Sequence, residues 1–152
     1  MKFVMNGGLI IGTMDGANVE IAEEIGEDNM FIFGENVDGV GNCRKQMYEG
    51  RRDYVGGRLK RVFDTIKSGF FGDTQVIHPI IDHLQDGGDH YITCFDFYSY
   101  IDAQDRADKV YRDQRKWTEM AIIGVAKSGK FSSDRTIAEY CSQIWDAKPV
   151  PV

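Results

Sequence analysis

Residues 9–34 read LIIGTMDGANVEIAEEIGEDNMFIFG. Two apolar runs, Leu9 to Thr13 and Asn29 to Phe33, are bounded by glycines and turn residues. Each is too short for a helix, which is how buried strands read. Between them Met14-Asp15-Gly16 makes a turn. Val19 to Ile25 then carries Ile21 and Ile25 on one face, with Glu20, Glu23 and Glu24 largely on the other. Asn18 is placed to cap this helix, Glu20 to sit at the positive end of its dipole, and Gly26 to close it. Strand, helix and strand in about 25 residues form a βαβ unit, which builds parallel sheets covered by helices.

Working outward, residues 1–6 read as the end of a helix stopped by Gly7-Gly8, and the chain after residue 34 reads as mainly helical. Val37 to Tyr48 is ambiguous because glycines interrupt it. Arg58 to Lys67 is amphipathic, with Leu59, Val62, Phe63 and Ile66 on one face. Ile77, Ile80, Ile81 and Leu84 repeat that spacing, with Pro79 expected near the first turn. Asp86-Gly87-Gly88-Asp89 is a loop, and Tyr91 to Phe95 suggests a short strand. Helices follow around Phe97 to Tyr111, around Trp117 to Val125 and after Ser132-Ser133-Asp134. The last bears a stripe of Ile137, Tyr140, Cys141, Ile144 and Trp145, stopped by Pro149 and Pro151. Few strands set against at least five helices resemble the closing section of an α/β domain.

The chain has 152 residues, 42% of them hydrophobic, and a net charge of −6. That sign excludes a nucleic-acid surface, which needs a basic footprint. Basic residues cluster locally at Arg51-Arg52 and Arg58-Leu59-Lys60-Arg61, read as solvated helix face, with an anion site as the lesser reading. Cys43, Cys94 and Cys141 lie far apart, so neither a disulfide framework nor a zinc site is expected, and a reducing cytoplasmic compartment is the simplest setting. His78, His83 and His90 make no metal-ligand spacing. No apolar run is long enough to span a membrane.

Gly12-Thr13-Met14-Asp15-Gly16 lacks the full GxGxxG pattern, yet it joins a strand to a helix N-terminus, where an anion is favoured. Taken alone it is a tight structural turn. The stretch from Met1-Lys2-Phe3 through Gly12-Thr13-Met14-Asp15-Gly16-Ala17-Asn18-Val19-Glu20 resembles the glycogen/starch (α-glucan) phosphorylases. Asn29 to Gly34, Ser68-Gly69-Phe70-Phe71 and Ser128-Gly129-Lys130-Phe131-Ser132-Ser133-Asp134-Arg135-Thr136-Ile137 extend the resemblance in order. Residues 35–115 match more loosely.

The resemblance implies the C-terminal part of a Rossmann-like domain in a two-domain (GT-B type) glycosyltransferase, with a βαβ segment over 1–34 and a mainly helical 35–152. It places Lys2 where the family's lysine forms a Schiff base with pyridoxal phosphate, making Lys2 the catalytic and cofactor-binding candidate. The cofactor's phosphate, with a second pKa near 6, then relays a proton while inorganic phosphate cleaves an α-1,4-glucan to glucose 1-phosphate. It further implies an N-terminal domain, a homodimer, an internal origin for Met1, and no activity for this chain alone. The faces at Leu59/Val62/Phe63/Ile66 and Ile137/Tyr140/Ile144/Trp145 are expected to lie bare for want of partners. The competing readings are a non-catalytic α/β interaction domain and a small phosphate-binding protein built on the Gly12–Asn18 turn.

Overall fold

The structure, a computed structural model, describes residues 1–50, 55–85, 88–148 and 150. The expected features at Arg51-Arg52, Asp86-Gly87, Pro149 and Pro151 lie outside the described residues. Strands β1 (Ile11–Gly12) and β2 (Phe31–Ile32) pair in parallel, with Ile11 opposite Phe31 and Gly12 opposite Ile32. Both are shorter than the apolar runs suggest. The start of the second run is claimed by a 3-10 turn at Glu27–Asn29, where Met30 N–H reaches back to Glu27 O.

Alternation along these strands sorts the core into two layers, because successive side chains point to opposite faces. Ile10 and Ile32 face α2 (Ala17–Ile25), joining buried Ile21, Ala22, Ile25 and Met30. Leu9, Ile11, Phe31 and Phe33 face the other way, onto Ala103 and Ala107 of α6 (Phe97–Arg112) and Met120 of α7 (Gln114–Lys127). Helices on both faces of a parallel pair make this a mostly helical α/β arrangement. The outer edge of β2 is covered by Arg106, whose guanidinium donates to Ile32 O.

α2 begins earlier than expected. Its N-cap is Gly16, at φ 48°, not Asn18. Asn18 lies within the first turn and sends its amide back to Thr13 O at 2.9 Å. It fastens the turn by donating a hydrogen bond, where a cap would accept one. The glycine-interrupted Val37–Tyr48 forms helix α3, started by Asn36, whose side chain accepts from Gly39 N–H at 2.8 Å.

α4 (Gly57–Lys67) packs on α5 (Thr74–Gln85), burying Leu59, Phe63 and Ile81 with Cys94. The α4 face expected to lie bare is therefore largely covered within the chain, leaving Val62 45% exposed. Pro79 sits in the interior of α5 rather than its first turn, so its missing N–H removes a helix bond. Tyr91 to Phe95 is a series of turns, not a strand. Buried Asp89 organises it by accepting Thr93 N–H at 3.0 Å and Cys94 N–H at 2.7 Å, and Ile92 takes φ 52°.

The last helix, α8 (Ser133–Tyr140), is capped as expected: Ser132 Oγ accepts Arg135 N–H at 3.1 Å. A π-helical turn follows at Cys141–Trp145, ended by Asp146 in the left-handed region. Ile137, Tyr140, Ile144 and Trp145 are all exposed, so this expected apolar face is bare.

Candidate functional site

Lys2 opens a single-turn helix, α1 (Lys2–Met5). Asn6 Nδ2 donates to Lys2 O at 2.8 Å, and the turn closes by Gly7 N–H to Val4 O and Gly8 N–H to Phe3 O. Gly7 takes φ 80°, which a glycine adopts without strain. Only Val4 of α1 is buried. It anchors the helix on α7, against Gly124. Lys2 is exposed, and its ammonium makes no ion pair among the described residues.

The cavity beside α1 is about 30 Å3 and is walled by residues such as Val4, Met5, Ile21 and Phe131, with no Lys or Arg side chain in its lining. Ligand pockets start near ~300 Å3, so this space holds little more than one water. These residues do not by themselves fit pyridoxal phosphate: they offer an amine, with no enclosure for a ring and no cation for its phosphate.

A larger cleft of about 420 Å3 opens beyond the carboxyl ends of the strands, where open α/β sheets place their ligands. Thr13 and Asp15 reach it from the end of β1 and Glu35 from the end of β2, while Arg44 comes from α3 and Asp96 from just before α6. Thr13 Oγ1 bonds Asp15 Oδ1 at 3.0 Å. A Cβ on Gly12 would stand 2.6 Å from Asn18 Nδ2, so the turn is closed tightly by its own side chains.

Asp96 is 9% exposed. Burial pushes its pKa up, opposed by the Glu35 backbone N–H and reinforced by the charges of Glu35 and Asp89. Arg44 donates to His90 O at 3.1 Å, and its Nε is buried with no hydrogen-bond partner among the described residues. Among the described residues three carboxylates face one guanidinium here, which opposes a phosphate and disfavours the Gly12–Asn18 turn as an anion cradle. The structure does not join Lys2 to this cleft: none of the cleft's lining residues comes from α1. Arg44 and Asp96 lie in the weakly patterned middle of the chain, and no spacing in the sequence marked them.

Comparison with known proteins gives these features a family. Residues 1–147 match the family described as carbohydrate phosphorylase. The whole chain aligns at 48% identity with "Glycogen phosphorylase" of Synechocystis, covering 18% of that protein. It aligns at 45% with "Alpha-glucan phosphorylase 2, cytosolic" of Arabidopsis thaliana, again covering all of this chain and 18% of the relative. A third relative, "Glycogen phosphorylase 2" of Dictyostelium discoideum, is 45% identical over the whole chain and 16% of its own length. The chain thus spans under a fifth of the length of these curated relatives. A family match running nearly end to end, with the Lys2 segment, the Gly12–Asn18 turn and the Ser132 cap all inside it, establishes that the chain belongs to the carbohydrate phosphorylase family.

Proposed function

We propose that this chain forms the part of an α-1,4-glucan phosphorylase that carries the attachment point for pyridoxal phosphate, and that Lys2 is that attachment point. In the same reading the βαβ unit belongs to a Rossmann-like domain of a GT-B glycosyltransferase. The bare Ile137/Tyr140/Ile144/Trp145 face then seats against another domain of the assembled enzyme. A cytoplasmic location goes with it, in keeping with the name of the Arabidopsis relative. The observation that carries the reading is 48% identity over the full chain.

The 152-residue chain by itself is not a catalyst in this reading. α1 presents Lys2 to solvent, and the cavity beside it does not enclose a cofactor. A glucan and phosphate must be held with their reacting atoms aligned and water excluded, and no single surface near Lys2 does this.

The test is a chimera in which this segment replaces its counterpart in the Synechocystis glycogen phosphorylase. Glucose 1-phosphate is expected from glycogen and phosphate with the chimera, none with its Lys2→Ala variant, and none with the 152-residue chain plus pyridoxal phosphate. Borohydride reduction of the isolated chain with pyridoxal phosphate should label several amines weakly. A folded, cofactor-retaining chimera that is inactive, or one that keeps its activity and cofactor without Lys2, would sink the proposal.

A further inference from the structure

Arg58, Arg61 and Thr65 stand at i, i+3 and i+7 along α4 and so share one face. Leu59 and Phe63 turn the other way, into the core with α5, and Val62 lies between the two faces. With Phe71 from the turn after α4 and Phe97 from the start of α6, these residues line a concavity of about 510 Å3. It shares no lining residue with the strand-end cleft or the pocket beside α1.

The charges here run against the local rule. A helix N-terminus carries partial positive charge and favours acidic neighbours. α4 has no acidic residue in its first turn and no side-chain cap, and Arg58, Lys60 and Arg61 crowd its start. Asp64 answers Lys60 at 2.6 Å. Neither the Arg58 nor the Arg61 guanidinium has a hydrogen-bond or ion-pair partner among the described residues. In a chain of net charge −6, two unanswered guanidinia thus sit at the positive end of a helix. A local violation of this kind is characteristic of functional sites.

The rest of the concavity is apolar. Phe71 is 64% exposed and Val62 45%, so an inorganic anion on the arginines would leave these surfaces wet. Thr65 Oγ1 donates to Arg61 O at 2.7 Å, so the guanidinia supply the donors. Their planar forks match phosphate oxygens, and a flat ring packs favourably on phenylalanine. We propose that the concavity between α4, Phe71 and Phe97 binds a small aryl phosphate, its head on Arg58 and Arg61 and its ring against Phe71 and Phe97.

Phenyl phosphate is the probe, titrated into the 152-residue chain by calorimetry and by amide shifts across Arg58–Thr65 and Phe71. Saturable binding is expected, about tenfold or more tighter than inorganic phosphate or phenol, and weakening as salt rises. Arg58→Ala with Arg61→Ala should weaken it by about tenfold or more. Phe71→Ala should weaken phenyl phosphate and leave inorganic phosphate unchanged. Arg58→Lys with Arg61→Lys keeps the charge if the alanine pair fails to melt cooperatively, and should still lose affinity by loss of the fork. Binding no tighter than inorganic phosphate, or indifferent to both arginine pairs, overturns the proposal.

Discussion

Val4 lies so close to Gly124 that a Cβ on the glycine would meet Val4 Cγ1 at 3.2 Å. The bare α7 backbone is what lets α1, and Lys2 with it, dock. In Gly124→Ala, the helix gains up to ~1 kcal/mol of propensity, while Val4 shifts by a few tenths of an ångström at the end of a short helix. Stability should therefore change by under about 1 kcal/mol. Gly124→Val overfills the contact, which costs ~1–3 kcal/mol, and should free α1. Urea melts and amide exchange at Val4 to Gly8 read both effects.

Asp89 is 1% exposed and holds the turns after residue 88 through two backbone N–H groups. Asp89→Ala strands both donors, the buried one of Cys94 and the part-buried one of Thr93, and a fully buried unsatisfied donor costs ~1–3 kcal/mol. The expected loss is about 2–4 kcal/mol by denaturant melts. Asp89→Asn, which keeps one acceptor, should lose less.

The same carboxylate bears on Cys94. Burial, then the charge of Asp89, pushes the Cys94 thiol up to about 12, and Cys43 is also raised, mainly by burial. A thiol is reactive as its thiolate, so iodoacetamide at pH 8 should label the partly exposed Cys141 first and reach Cys43 and Cys94 only in denaturant. Because the folded pKa of Cys94 is raised, its contribution is intact below the unfolded pKa near 9 and is lost as pH rises towards 12. Cys94→Ala, compared with wild type between pH 8 and 11, should remove part of the alkaline loss.

Asp96 gives the opposite end of the pH scale. Its pKa is raised above 3.8, chiefly by burial, so the folded state favours the protonated acid. That contribution is present below the unfolded pKa and is lost as pH rises through the folded one. Asp96→Asn removes the ionisation and should gain stability over wild type between pH 3 and pH 7. A difference in melting temperature that stays flat, or reverses, across that range contradicts the assignment.

Ile137, Tyr140, Ile144 and Trp145 form an exposed apolar face, the kind of surface that binds partners or drives association. Ile137→Lys with Ile144→Lys should reduce hydrophobic-dye binding and self-association in sedimentation, with a thermal melt shifted little because neither side chain is buried.

The legible parts of this chain were those whose pattern is local. Val19 to Ile25, Arg58 to Lys67 and the Ser132 cap were readable because periodicity and capping act within a turn or two. Asn18 was misread because its type suits a cap, while Gly16 reaches the positive φ that starts the helix earlier. Pro79 was misplaced because nothing local fixed where α5 begins, and Tyr91 to Phe95 looked like a strand because Asp89 acts from outside the apolar run. The strand-end cleft was illegible: Asp15, Arg44 and Asp96 meet only once α3 and α6 have docked. Lys2 is a candidate through family resemblance alone, since its own environment holds no chemical signal.

The sheet has a direction of growth. Phe31 and Phe33 send their N–H groups to Ile10 and Gly12, so by the alternation of a strand the Ile32 peptide points to the far edge. Arg106 already occupies its carbonyl. On the other side the Ile11 peptide points away from β2, leaving β1 as the edge that can template another strand. A further strand, from any source, is therefore favoured beside Ile11, because at the other edge a cation already holds the Ile32 carbonyl.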